Sequence, residues 1–243
     1  MPGPPRNPLL RFLAWLGGHE LGLLLALAGI AAGVWIFAEL ADQVVDGGTR
    51  RFDRTVLLSM RHPDKTPLGP PWVQEAARDV TALGGVTVLT LLTIGACGYL
   101  ALDNRRRLAL LAAGSVSSGL MLSNLLKHLF NRPRPDLVPH SVYVYTASFP
   151  SGHSMLSAVT YLTLGALLAR SQQRRVLKAW FMLSAAFITF LVGVSRVYLA
   201  VHWPTDVLAG WTAGSVWALV CWLVVRRLQK GREVLPAGDT KDI

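Results

Sequence analysis

The sequence predicts an all-α fold: an integral membrane bundle of six transmembrane helices, with a short amphipathic helical segment in the first outer loop. Three observations predict it. Mean hydropathy is +0.40, only 16% of the 243 residues are charged, and the apolar residues are gathered in blocks rather than dispersed. Predominantly apolar runs cover about 21–41, 82–102, 107–126, 154–169, 179–194 and 205–225, close to the roughly 20 residues that cross a bilayer core.

The first run follows Arg6 and Arg11 and contains Ala26-Leu27-Ala28, a pattern shared with secretory signals. It continues to Leu40, longer than a signal's apolar region, and so predicts an uncleaved anchor. In the connection 42–80, Asp46-Gly47-Gly48 marks a turn, and Phe52, Val56 and Met60 recur at helical spacing through FDRTVLLSMRH. A short helix lying on the bilayer surface is expected there, the plain alternative being a solvated loop with one helical turn. Pro63, Pro67, Pro70 and Pro71 then break the chain before Trp72, an aromatic suited to the headgroup level. The fourth and fifth runs are short for a span, which places one end of each helix at a level occupied by something other than lipid. One transmembrane domain is expected over 1–230, followed by a disordered cytoplasmic tail over 231–243. Cys97 and Cys221 lie in apolar runs and form neither a disulfide framework nor a metal pattern.

The net charge of +10 would point to nucleic acid in a soluble chain. Here the basic residues sit at helix ends on alternate connections: Arg105-Arg106-Arg107, then Arg170, Arg174, Arg175 and Lys178, then Arg226, Arg227, Lys230 and Arg232. Nucleic acid is therefore not an expected partner. The positive-inside rule places these connections and both termini in the cytoplasm of a cell (inner) membrane protein, and the other three connections outside. The outer connection 42–80 is the exception, with Arg50, Arg51, Arg54, Arg61, Lys65 and Arg78 interleaved with acids.

Three outer stretches carry chemistry. In KHLFNRPRP, 127–135, Pro133 and Pro135 stop the third helix and leave Lys127, Arg132 and Arg134 at its outer end, where snorkelling to headgroups is the plain alternative. In FPSGHSM, 149–155, Ser151 is an N-cap candidate, Gly152 permits close backbone approach and His153 falls in the first turn of a helix, a natural anion site. In SRVYLAVHWPTD, 195–206, Pro204 suits the first turn of the sixth helix, and His202 and Asp206 are four apart across that start. Each feature has an ordinary structural reading when taken alone. Together they bring Lys127, Arg134, Ser151, His153, Arg196, His202 and Asp206 to one depth, where ionisable groups cost up to about 2.5–3.5 kcal/mol each on insertion scales. Three cations and two imidazoles suit a phosphate ester.

The patterns K-x6-RP at Lys127–Pro135, PSGH at 150–153 and SR-x5-H-x3-D at 195–206 closely resemble the three-part signature of the type 2 phosphatidic acid phosphatases, also called the lipid phosphate phosphatase family. No signature position is substituted. The resemblance implies an outward-facing lipid phosphatase acting on an undecaprenyl diphosphate, phosphatidylglycerophosphate or phosphatidate type of substrate. It implies that His202 is the nucleophile and becomes a phosphohistidine, that Asp206 orients it, and that His153 protonates the departing lipid oxygen and then activates water. Lys127, Arg134, Arg196, Ser151 and the Gly152 amide would hold the phosphoryl oxygens, with no metal and no cofactor. The expected partners are a lipid phosphate and the bilayer.

Physical chemistry is consistent with this resemblance, because phosphoryl transfer is catalysed mainly by positioning and by positive charge aimed at the equatorial oxygens. The sequence also lacks an acidic cluster suited to magnesium. His128 and Arg132 lie outside the matched positions and are expected at most to meet a headgroup. Two alternatives share the constellation: a lipid phosphotransferase, and an anion or lipid transporter, the latter disfavoured by the lack of repeat symmetry between the halves. The preferred lipid, the oligomeric state and the role of the loop 42–80 are not legible in the sequence.

Overall fold

Apolar runs flanked by proline, glycine and basic residues fold as helices in the computed structural model, which describes residues 19–136 and 147–233. In chain order the helices are α1 (His19–Val45), α2 (Arg50–Leu58), α3 (Pro71–Ala82), α4 (Val86–Leu102), α5 (Arg106–Phe130), α6 (Gly152–Ser171), α7 (Arg175–Tyr198) and α8 (Pro204–Glu233). The basic flank at Arg6 and Arg11 lies outside the described residues, as does the expected tail apart from 231–233, which continue α8. Among the described residues, five helices are long and apolar enough to cross a membrane: α1, α5, α6, α7 and α8, with α3 and α4 together making a sixth candidate bent by 50°.

Two elements differ from expectation. The run 82–102 is not one helix: it breaks at residues 83–85, with Gly85 in an extended conformation (φ −72°, ψ 144°) before α4, and α3 precedes the break. Pro71 at the first helical position starts α3, where a fixed φ costs nothing and the missing N–H would be unpaired anyway. The fourth and fifth spans are not short either, with 20 residues in α6 and 24 in α7. They read as short because the first turn of α6 and the last turn of α7 hold polar residues, Ser151, Ser154, Ser195 and Arg196, which are buried in protein.

The large apolar side chains point outward. Leu25, Trp35, Leu91, Leu110, Met121, Leu183 and Phe187 are exposed, while the buried face of α6 is Ser154, Met155, Ser157, Ala158, Val159 and Thr160. Small and hydroxylated residues between helices let backbones approach closely, whereas lipid accepts the bulky ones. Helix α6 sits at the centre, packed against α4, α5, α7 and α8.

Its backbone lies close to α8. A Cβ placed on Gly210 would fall 2.6 Å from the Ser151 carbonyl oxygen, and one on Gly214 would fall 2.4 Å from that of Met155. The first turns of the two helices are also tied directly, by the Ser151 amide donating to the Asp206 carbonyl oxygen at 2.9 Å.

Helix α2 occupies the stretch where a surface helix was expected, but its inward face is Asp53 and Leu57, both buried, while Phe52 is half exposed. Leu57 packs with Ala200, Leu58 and Trp203 over the C-terminal end of α7 and the start of α8. The following loop is fastened to the end of α7: the Tyr198 hydroxyl donates to the Leu68 carbonyl at 2.6 Å, and Arg61 donates to the Tyr198 carbonyl. Phe37, Phe130 and Phe149 form an edge-to-face and tilted ring cluster that joins α1, the end of α5 and the lead into α6.

Candidate active site

The three polar stretches meet where α5 and α7 end and α6 and α8 begin. Helix α5 stops at Phe130, followed by Asn131 in the left-handed conformation (φ 39°), and the next residues leave the helix carrying Arg132 and Arg134. A backbone bond from the Ser148 amide to the Arg132 carbonyl, 2.8 Å, lays this segment beside the lead into α6. Ser151 caps α6 with its side chain, accepting from the Ser154 amide at 3.4 Å and from the Ser154 hydroxyl at 2.9 Å.

His202 is buried and its two ring nitrogens face opposite chemistry. Nδ1 lies 3.4 Å from Asp206 Oδ2, and Nε2 lies 3.2 Å from Arg134 Nη1. A guanidinium has donors only, so Nε2 is the acceptor of that pair and the ring proton resides on Nδ1, toward the carboxylate. Burial pushes His202 down from 6.5 to about 3, helped by the charges of Arg196 and Arg134 and opposed by Asp206. The imidazole is therefore neutral near pH 7, and its contact with Asp206 is a hydrogen bond rather than an ion pair. The other bonds to Asp206 Oδ2 come from the Trp203 amide at 2.9 Å and from the Ser148 hydroxyl.

The cations surround this pair. Lys127, in the last turn of α5, donates from Nζ to the Ala147 carbonyl at 3.0 Å. It also flanks the start of α6, since a Cβ on Gly152 would come within 3.2 Å of its Cε. Arg134 donates to the Val201 carbonyl at 2.6 Å, and burial lowers its pKa. Arg196 is buried, donates from Nη1 to Thr81 Oγ1 at 3.0 Å, and has an Nε with no hydrogen-bond partner. A buried guanidinium N–H left unpaired is expensive unless a ligand completes it.

His153 stands in the first turn of α6, beside the break between α3 and α4: a Cβ on Gly85 would lie 3.9 Å from its Nε2. The charged groups acting on it are Arg196, His202, Lys127 and Arg134. All the residues singled out in the sequence thus share one region. Among the described residues, no three His, Cys, Asp or Glu side chains group as a metal site.

One expectation is corrected. Arg132, assigned at most a headgroup contact, is turned inward, with Nη1 2.6 Å from Asp206 Oδ1 and Nη2 2.8 Å from Asp53 Oδ2. His128 stays exposed. Sequence reasoning also passed over Asp53, Ser148 and Thr205, whose partners are distant along the chain and leave no local pattern.

The sequence profile of the PAP2 superfamily matches residues 108–230. Phosphatidylglycerophosphatase B of Bacillus subtilis is 34% identical over 151 residues, spanning 59% of this chain and 71% of that protein. An undecaprenyl-diphosphatase of Sulfolobus acidocaldarius is 30% identical over 115 residues, 45% of this chain and 52% of the relative, so the chain spans about half of that protein's length. Among solved structures, a transmembrane PAP2 type phosphatidylglycerolphosphate phosphatase from Bacillus subtilis superposes with a TM-score of 0.75 at 27% identity, covering 82% of this chain and 96% of that one.

Proposed function

The chain belongs to the PAP2 superfamily, and from that membership we propose that it is a metal-independent membrane phosphatase that hydrolyses a lipid phosphomonoester or diphosphate through a phosphohistidine. The observation that carries the reading is the orientation of His202, with Nδ1 on Asp206 and the Nε2 lone pair under Arg134.

In the first step Nε2 of His202 attacks phosphorus as the bond to the lipid oxygen breaks, and His153 gives that oxygen its proton. Arg134 swings from the lone pair to an equatorial oxygen, joining Lys127, Arg196, Ser151 Oγ and the Gly152 amide. Asp206 balances the charge that the ring gains. In the second step His153, now neutral, takes a proton from water as the water oxygen attacks phosphorus and the N–P bond breaks, releasing phosphate and the free imidazole. General acid–base assistance of this kind is worth about 10²–10⁴-fold.

The relatives' names support lipid substrates of the phosphatidylglycerophosphate and undecaprenyl diphosphate types. The alternation of basic connections supports a six-span layout with α3 and α4 as one broken span, both termini cytoplasmic and the site at the outer face.

The test is phosphate release from phosphatidate, phosphatidylglycerophosphate and undecaprenyl diphosphate by purified His202→Ala protein. Loss of turnover by about 10³-fold or more in a folded variant is expected, by analogy with removal of other covalent nucleophiles. Near-normal turnover would refute the reading.

A further inference from the structure

We propose that Arg132 and Asp53, neither of them at a signature position, form a positioning clamp that holds Asp206 and keeps one net negative charge available to His202. The proposal rests on the reading of His202 as nucleophile. The Arg132 guanidinium is committed to protein: Nη1 donates to Asp206 Oδ1 at 2.6 Å and Thr205 Oγ1 at 2.9 Å, and Nη2 donates to Asp53 Oδ2 at 2.8 Å and Thr49 Oγ1 at 3.3 Å. Asp53 in turn accepts from the Thr205 amide at 2.9 Å and the Thr205 hydroxyl at 2.8 Å, so a residue of α2 caps the first turn of α8.

The bonding divides the Asp206 carboxylate. Oδ1 goes to Arg132, and Oδ2 goes to His202, the Trp203 amide and Ser148. With both oxygens occupied by different partners, the carboxylate plane cannot turn without breaking a buried bond. Both carboxylates are at most 1% exposed and the arginine side chain 11%, so these charges are poorly screened by water.

The charge arithmetic explains why α2 is drawn in. Arg132 alone would neutralise Asp206 and leave the imidazolium of the phosphorylated ring without a counter-charge. Two carboxylates around one guanidinium leave a net charge of minus one beside His202. The other ionisable groups facing His202 are Arg134 after α5, Arg196 from α7 and His153 from α6, with Lys127 acting on Asp206. Among the described residues, Asp206 is the acid in direct contact with His202, and the clamp governs how much of its charge the ring receives. Arg132 and Asp53 are positioning residues, since their bonds go to Asp206 and its neighbours rather than to the phosphate-holding side chains.

The experiment compares pH profiles of kcat and kcat/KM for wild type, Arg132→Gln, Asp53→Asn and the double variant on phosphatidate, with His202→Ala alongside. Arg132→Gln leaves two uncompensated carboxylates, favours the imidazolium and moves the acid limb up by about one unit. Asp53→Asn moves it down, and the double variant, which keeps a net charge of minus one, returns it to near the wild-type position. Both single variants lose kcat, Arg132→Gln by about 10–100-fold, as for other residues that orient a reacting group from behind, with KM within about threefold.

Folded single variants with wild-type kcat, acid limbs that stay put or move together, or a change in KM alone would each overturn the clamp. Should Arg132→Gln not fold, Asp53→Asn decides alone: its amide oxygen still accepts from the Thr205 amide, while the NH2 in place of Oδ2 gives up both the charge and the bond from Arg132. His202→Ala with normal turnover strikes the phosphohistidine reading instead. An inactive His202→Ala beside unaffected clamp variants strikes the clamp only.

Discussion

Arg134 Nη1 stands 3.2 Å from His202 Nε2 while the same nitrogen donates to the Val201 carbonyl at 2.6 Å. The nitrogen proposed to attack phosphorus is thus covered by a donor that is itself held by the backbone beside it. A phosphoryl oxygen, being anionic, outcompetes a neutral ring nitrogen for that donor. Binding of the phosphate would uncover the lone pair that attacks it.

Replacing Arg134 should therefore damage both binding and chemistry. Arg134→Ala is expected to lower kcat by about 10²–10³-fold, the cost of losing one preorganised donor to developing charge. Arg134→Lys keeps the charge but not the planar fork and should recover only part of it. Initial rates of phosphate release and the dissociation constant for vanadate measure the two effects. Equal activity of the lysine variant and wild type would show that charge alone suffices.

Asp206→Asn tests the tautomer. An amide can present its NH2 to Nδ1, which then becomes the acceptor and moves the ring proton to the nitrogen that must attack. Loss of kcat by about 10⁴-fold is expected, by analogy with the same change in serine protease triads. Ser148→Ala, which removes one donor to Oδ2 and leaves the Trp203 amide and Arg132 in place, should cost far less. Single-turnover assays that trap phosphoenzyme separate formation from hydrolysis, and comparable losses in the two variants would contradict the assignment.

Much of this site was legible because its parts are local. The Ser151 cap, the four-residue step from His202 to Asp206, and the prolines that release Arg134 from α5 are short-range patterns with a direct physical reading. The clamp was not legible, since Asp53 and Arg132 are 79 positions apart and Asp53 and Thr205 are 152 apart. An aspartate in a basic, loop-like stretch reads as a solvated charge until its partner is known. The break between α3 and α4 was hidden for a related reason: Gly84-Gly85 sits in an apolar run, and hydropathy does not register backbone direction. The fourth and fifth apolar runs understate their helices, which extend to 20 and 24 residues, because hydropathy does not count the buried polar residues at one end of each.

His202 also links pH to stability. Its pKa falls from 6.5 to about 3 on folding, so between those values the unfolded chain binds more protons than the folded one. Stability then rises with pH across that window and is progressively lost as pH falls from 6.5 toward 3. Thermal unfolding midpoints in detergent at a series of pH values should fall less steeply on acidification for His202→Gln than for wild type. Parallel slopes would mean that the ring is not held neutral by burial.

The contact between α6 and α8 sets the geometry on which all of this depends. Gly210→Ala places a Cβ 2.6 Å from the Ser151 carbonyl oxygen, nearer than non-bonded atoms tolerate, and that oxygen belongs to backbone that cannot turn aside. Helix α8 must move, and Asp206, one turn earlier on it, receives the Ser151 amide at 2.9 Å. The cap of α6 and the carboxylate behind His202 are then displaced relative to each other. Overpacking of this kind costs about 1–3 kcal/mol, and a misplacement of about 1 Å near reacting groups can cost about 10²-fold in rate. Gly95→Ala and Gly98→Ala, on α4 with nothing within 4 Å of the added atom, are the matched controls and should leave stability and turnover unchanged or slightly improved, since alanine is the better helix former. Thermal unfolding and phosphate release on the three variants, prepared in the same detergent, decide the matter: if Gly210→Ala behaves like the α4 pair, the close approach of α6 and α8 does not position the site.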